Sequence, residues 1–387
     1  MSKFGTELSE LARLHLLRHM MVVEPSQGSR IRVNNRELLL LCSNDYLGLA
    51  AHPDLRKAAS DAMERYGFGA GASRLVSGTG FLHEELERRL AGFKKTEAAL
   101  LFNSGYAANT GIIPAVVRDG DVVLSDSLNH ASIIDGCRLS KARVLVYRHK
   151  DLDHAEQLLG RSHAAHRRLI VTDGVFSMDG DIAPLPELAS LAERYDALLM
   201  VDDAHGTGVF GDHGGGVVEH FGLSDRVHIQ MGTLGKALGS FGAYVAGARD
   251  LIDLLVNRSR SFIFSTALPP AICAASMAAL DIVESNTELR TTLWKNRERF
   301  AAGLQSLGID TGVSESPIVP IIIGDSARTL KASEKLLEYG VYATGIRPPT
   351  VAENTARIRT TVTAAHSDQD IDAALDVFKN LKQEGYL

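Results

Sequence analysis

Cysteine is scarce: Cys42, Cys137 and Cys273 stand far apart with no C-x-x-C pair. That argues against a disulfide framework and a cysteine zinc site, and it fits a reducing cytoplasm. Positive charge is not in excess either. The formal net charge of -6 leaves no electrostatic footprint for nucleic acid or an anionic membrane. The longest apolar stretch, Ala271 to Leu280, is broken by Ser276 and falls well short of the roughly 20 residues that span a bilayer. The N-terminal stretch through Glu7 carries an acid early and lacks an apolar core with a small-residue cleavage site, so it does not read as a signal peptide. No internal repeat or low-complexity linker is found, and the single tryptophan, Trp294, reads as packing.

What is present suits a soluble globular protein. Hydrophobic residues make up 45% and charged residues 23% of the chain. Its 387 residues suggest two or three domains. Leu8, Leu11, Leu14 and Leu17 fall at helical spacing, so an amphipathic arm is expected from about Glu7 to Met20. Near its end Arg18 and His19 have two readings, charges complementing the helix dipole or groups reaching an anionic ligand. A helix over Pro53 to Tyr66 follows, with proline in its first turn. The glycines of Gly67 to Gly71 imitate a dinucleotide fingerprint, but a helix and not a strand precedes them, so NAD binding is rejected.

Between Ala98 and Gln230 short apolar runs alternate with helical patterns. Strands are expected at 98–102, 121–124, 143–147, 169–172, 197–201 and 227–230. Such alternation argues an α/β fold with a mostly parallel sheet, whose ligands sit beyond the carboxyl ends of the strands. After Leu268-Pro269-Pro270 two long helices and a smaller αβ region are expected. The expected domains are a 1–45 arm and strand packing with the small domain, a large 46–280 domain and a small 281–387 domain.

The polar residues follow strand ends. Ser104-Gly105-Tyr106 opens a helix whose unpaired amides favour an anion such as phosphate. Asn129-His130, Ser177 and Asp202-Asp203-Ala204-His205 follow further strands, and Gly232-Thr233-Leu234-Gly235-Lys236 comes last. The lysine turn is no P-loop, because the glycine spacing is too short and Ala237 stands where Ser or Thr would hold magnesium. A lysine partly withdrawn from water becomes a nucleophilic amine, which is what a Schiff-base lysine requires. Pyridoxal phosphate chemistry needs that lysine, an anion for the pyridine nitrogen, a face for the ring and a phosphate cradle. Lys236, Asp202 and His130 fit the first three, while Thr233 and the helix start at Gly105 and Tyr106 fit the last. His205 and Ser177 are expected on the phenolic oxygen. Plainer readings stand beside these: Asp202, Asp203 and His205 as metal ligands, His130 as a helix cap, Ser177 as a turn residue.

The stretches Ser43 to Gly48, Asp126 to Ser132, Gly174 to Asp181, Val201 to Gly208 and Thr233 to Lys236 resemble the α-oxoamine synthases, fold-type I pyridoxal phosphate enzymes. The resemblance spans nearly the whole chain. It implies a large cofactor domain, a smaller C-terminal αβ domain and a homodimer. It also implies decarboxylative condensation of an amino acid with an acyl thioester, catalysed by Lys236, His130, Asp202 and His205, with Thr266 added to the cofactor site. Gly345 to Val351 and Ala356 to Arg359 resemble members joining L-alanine to a pimeloyl thioester on coenzyme A or acyl carrier protein. Glycine with an acetyl thioester is the alternative, and a catalytically silent pyridoxal phosphate protein is a different class. The resemblance places Arg347 on the amino acid carboxylate, with Arg18, Asn44 and Thr350 as further substrate contacts. No metal is expected.

Overall fold

The computed structural model describes residues 4–14, 16–24, 28–162 and 165–387. They divide into two compact units, one of residues 1–48, 178–181 and 291–387, the other of 49–177 and 182–290. The division at 290/291 falls within the helix Glu288–Ser306.

The second unit is built on a seven-stranded sheet. Its strands run in the order Ala98–Phe102, Ala243–Gly247, Ile229–Thr233, Leu198–Asp202, Arg168–Asp173, Val122–Asp126, Arg143–Tyr147. All pair in parallel except Ala243–Gly247, which runs antiparallel to both of its neighbours. This strand is not among those expected from the sequence, the last of which for this sheet ends at Gln230. Because it alone is reversed, the other six strands finish at one edge. Five of the six are buried almost throughout, as a sheet covered on both faces demands, whereas the edge strand Arg143–Tyr147 buries only Tyr147.

The helix Gly105–Val116 packs Ile112, Ile113 and Val116 into a cluster with Phe102, Val171, Met200, Ile229 and Val245. Each such side chain removed from water contributes about 1.5 to 3 kcal/mol, before the entropy of ordering it is counted. Caps set where the helices begin. His52 accepts the Asp54 amide ahead of Pro53–Tyr66, Ser104 accepts the Ala107 amide, and His130 accepts the Ser132 amide.

The first unit holds two three-stranded sheets. One orders Arg30–Val33, Arg36–Leu40 and Val341–Tyr342; the other orders Ile318–Gly324, Ala356–Thr361 and Thr344–Ile346. The hairpin between the first two strands turns through Asn34 and Asn35, at φ of 48° and 62°, the left-handed pair that a two-residue hairpin favours. The helix Asp368–Gln383 starts at a Ser367–Asp370 capping box, and Arg30 ion-pairs with Asp370 at 2.8 Å. The amphipathic arm expected to Met20 is helical only over Gly5–Arg13; residue 15 lies outside the described residues. None of its helical residues is buried, and the 16–20 stretch carries no helical assignment. An apolar stripe that buries nothing leaves helix propensity without the packing that usually sustains it.

Candidate active site

Asp202 ends its strand and is 4% exposed. One of its oxygens accepts the Asn109 side-chain amide at 2.7 Å, the other the Ala204 backbone amide at 3.0 Å. Asn109, fully buried in the helix Gly105–Val116, also donates to Ser132 Oγ at 2.9 Å and leaves its own Oδ1 without a partner. Ser132 continues the chain of contacts, standing 2.7 Å from His130 Nδ1. The His130 backbone amide donates to Asp173 Oδ2 at 2.7 Å. So His130 is indeed a helix cap, and the same contacts fix its ring. Desolvation lowers the His130 pKa; the Asp202 carboxylate pulls it back, and the Lys236 ammonium adds to the lowering. Asp173 is opposite in sense. Burial and then the Asp202 charge push its carboxyl well above the ordinary value, against the His130 amide and Lys236.

Lys236 is half-buried, and its Nζ stands 3.0 Å from His205 Nε2. His205 is 8% exposed. Thr233, at the end of the neighbouring strand, turns its hydroxyl to the Ala204 carbonyl at 3.4 Å. An ideal Cβ on Gly105 would lie only 2.9 Å from Thr233 Cγ2, so the helix start and the strand end are neighbours and a side chain there would fill the space between. Gly105 and Tyr106 open that helix, where first-turn amides lack intrahelical acceptors. The Tyr106 phenol is engaged elsewhere, donating to Asp135, which raises its pKa. Ser177 lies half-buried in the turn that the Val175–Ile182 bridge closes. Thr266 is exposed; it bridges Ser73, and its carbonyl accepts Asn103 Nδ2 at 2.9 Å.

The remaining expected residues belong to the first unit. Arg347 donates from Nη2 to the Leu17 carbonyl at 2.9 Å, while its buried Nε has no partner. Desolvation, then Arg18, lowers its pKa. Arg18 reaches Thr350 Oγ1 at 3.5 Å. Asn44 Oδ1 accepts Arg359 Nη2 at 3.1 Å and the Tyr46 hydroxyl at 3.4 Å.

Thus Lys236 and His205 form one contact group, Asp202 and His130 are joined through Asn109 and Ser132, and Arg18, Thr350 and Arg347 form another in the first unit. The sequence reading assigned no role to Asn109, Ser132, Asp173 or Arg359. An amide side chain in the largely apolar helix Gly105–Val116 was the available signal for Asn109. Among the described residues, no three His, Cys, Asp or Glu side chains are arranged to hold a metal ion, and no helix is long and apolar enough to cross a membrane.

Residues 36–378 match the aminotransferase class I and II family. The chain is 56% identical to the 8-amino-7-oxononanoate synthase of Geotalea daltonii, covering 98% of both. It is 48% identical to 8-amino-7-oxononanoate synthase 1 of Bacillus subtilis, covering 98% of this chain and 96% of that one. Among solved structures, a serine palmitoyltransferase from S. paucimobilis with a bound PLP adduct matches at a TM-score of 0.94 and 31% identity, over 99% of this chain and 98% of that one. An 8-amino-7-oxononanoate synthase from Francisella tularensis matches at 0.78 and 29%, over 90% of this chain and 99% of that one. The chain belongs to the aminotransferase class I and II family, with the fold-type I architecture, and its relatives place it among the 8-amino-7-oxononanoate synthases.

Proposed function

We propose that the chain is an acyltransferase that uses pyridoxal 5'-phosphate to condense L-alanine with a pimeloyl thioester. The products are 8-amino-7-oxononanoate, carbon dioxide and the free thiol, a step of biotin biosynthesis. The observation that carries this reading is the Lys236 amine, 3.0 Å from His205 Nε2 on the turn that follows a buried, doubly hydrogen-bonded Asp202.

The donor set fits the cofactor. A half-buried amine, a fixed buried carboxylate and a side-chain-free helix start match an aldehyde, a pyridine nitrogen and a phosphate. When bound, the cofactor supplies a carbonyl that joins an amine and a cationic ring that accepts the electron pair left at Cα. Asp202 holds a proton on the ring nitrogen; its hydrogen bonds to Asn109 and Ala204 leave it no freedom to turn away. His130, kept neutral by desolvation, offers a ring face without adding charge. The amides of Gly105 and Tyr106, with Thr233, hold the phosphate, and Thr266 is a further cofactor contact. Ser177 and His205 address the phenolic oxygen.

Lys236 Nζ takes the proton from Cα of alanine and returns one to the product. A neutral amine is required for the first of these, and His205 Nε2 at 3.0 Å holds it in place. In the first unit, Arg347 offers its guanidinium fork to the alanine carboxylate, and Arg18, Thr350 and Asn44 serve as further substrate contacts. A cytoplasmic homodimer completes the reading. Phe68, Leu75, Val76 and Phe81 support the dimer, since a single chain leaves all four of these apolar side chains exposed.

The test is to load purified protein with the cofactor and offer L-alanine or glycine with a panel of acyl thioesters on coenzyme A and on acyl carrier protein. Carbon dioxide and free thiol are measured together. Release of both in equal amounts with alanine and the pimeloyl donor is expected; preference for glycine and an acetyl donor overturns the substrate assignment, and no release with any pair overturns the enzyme assignment.

A further inference from the structure

Asp202 and Asp203 are consecutive carboxylates, and the alternation that turns Asp202 toward Asn109 turns Asp203 the other way. There Asp203, with a side chain 0% exposed, meets Lys94, 1% exposed, at 2.9 Å. Lys94 also donates to the Gly215 carbonyl. The second Asp203 oxygen accepts the Val217 amide at 3.2 Å, at the start of the short helix Val217–His220. Two glycines make room for this carboxylate. An ideal Cβ on Gly206 would lie 2.0 Å from Asp203 Oδ1, and one on Gly216 1.7 Å from Oδ2. The Asp203 carbonyl closes the turn from the other side, accepting the amides of Gly206 at 3.1 Å and Thr207 at 2.9 Å. The Thr207 hydroxyl lies 2.9 Å from that of the buried Tyr244. One residue therefore ties together both ends of the 203–217 segment, and that segment carries His205 to the amine of Lys236.

Stability alone is a poor reason for such a pair. Desolvating two charges cancels much of their attraction, and apolar residues of similar volume often serve folding as well. What apolar residues lack is direction. An ammonium fixed between one carboxylate oxygen and one carbonyl admits a single arrangement of the turn. Its charge also offsets that of Asp203 beside Asp202.

We infer that the buried Lys94–Asp203 ion pair is a positioning device for Asp202 and His205. It sets where these two groups meet the Lys236 amine and the cofactor ring. The inference rests on the function proposed above. Lys94 and Asp203 act through their neighbours and are positioning residues, not catalytic ones.

The test compares wild type, Asp203→Asn and the charge-free double variant Lys94→Met/Asp203→Asn, all loaded with pyridoxal phosphate. Both variants keep an acceptor for the Val217 amide, and the double leaves no unpaired charge. Melting temperature, the pH midpoint of the visible absorption of the bound cofactor, kcat, and KM for L-alanine are measured. The double variant is expected to load cofactor and melt near the wild type. Its kcat should fall about tenfold or more with KM little changed, as misplacement of positioned groups requires. Its absorption midpoint should move by about half a pH unit or more, because Asp202 and His205 no longer meet the ring and the Lys236 amine in the same place. Wild-type kcat and midpoint in either folded, loaded variant overturn the inference. The function reading fails separately: a wild type that gains no visible band with cofactor defeats that reading, whereas a normal wild type with unchanged variants defeats only the role of the pair.

Discussion

Asp173 and Asp202 occupy paired positions at the ends of neighbouring parallel strands, both of them buried. Two carboxylates so placed do not both ionise easily, and it is Asp173 whose pKa is driven well up by burial and by the Asp202 charge. Asp173 is thereby biased toward its protonated form.

A prediction about pH follows from this arrangement. A carboxyl whose folded pKa lies above its unfolded value, about 3.9, stabilises the fold fully below that unfolded value and loses the contribution as pH rises through the folded one. Asp173→Asn fixes the neutral form. The stability of the cofactor-free variant relative to wild type should therefore rise with pH, by up to about 1.4 kcal/mol per pH unit within that window. Denaturant unfolding from pH 4 to 8 measures it, and a constant difference across that range would show that Asp173 is ionised throughout.

Lys236→Ala removes the amine that stands 3.0 Å from His205. Borohydride should fix cofactor covalently to the wild type at this residue and not to the variant, as mass spectrometry of the digested protein reads directly. Wild-type stoichiometry of fixed cofactor in Lys236→Ala would move the attachment to another lysine.

Asp202→Asn keeps the shape and an acceptor for the Ala204 amide but removes the charge. Exchange of the Cα hydrogen of L-alanine with deuterated solvent should slow about 100-fold, the scale on which a preorganised electrostatic group acts. Cofactor binding should persist through the phosphate contacts. Unchanged exchange at saturating cofactor would remove Asp202 from its place at the ring nitrogen.

The strand ends were legible because parallel strands in a covered sheet are continuous apolar runs, and the residues that stop them are polar. Asp202 and Thr233 could be found in this way. The strand Ala243–Gly247 was not, since five apolar or small residues after a glycine-rich turn give no sign of direction, and it enters the sheet reversed between strands separated from each other by more than 120 positions. Asn109 and Lys94 were hidden for a related reason. Their partners, Asp202 and Asp203, lie 93 and 109 residues away, and no local spacing encodes such a contact. The arm shows the reverse failure: a clear leucine periodicity to residue 17 produced a helix only to Arg13.

Arg347 is expected to recognise the amino acid and not the acyl chain. Its Nη2 is held by the Leu17 carbonyl, while its Nε is buried without a partner. A buried donor left unpaired is costly, and a carboxylate placed against the guanidinium edge removes that cost while gaining charge-assisted hydrogen bonds. An acyl tail offers no such exchange. Arg347→Lys keeps the charge but loses the fork, so L-alanine binding should weaken by about 1.5 to 3 kcal/mol if one charged hydrogen bond goes unreplaced. That corresponds to roughly a 10- to 150-fold rise in Kd. Cofactor loading should be unaffected, because Lys236, Asp202 and Thr233 are unchanged. A spectroscopic titration of the loaded protein with L-alanine measures the effect beside the wild type. Equal alanine affinity in the two proteins, with a defect confined to the thioester, would assign Arg347 to the acyl donor and leave the alanine carboxylate to another cation, for which neighbouring Arg18 is the first candidate.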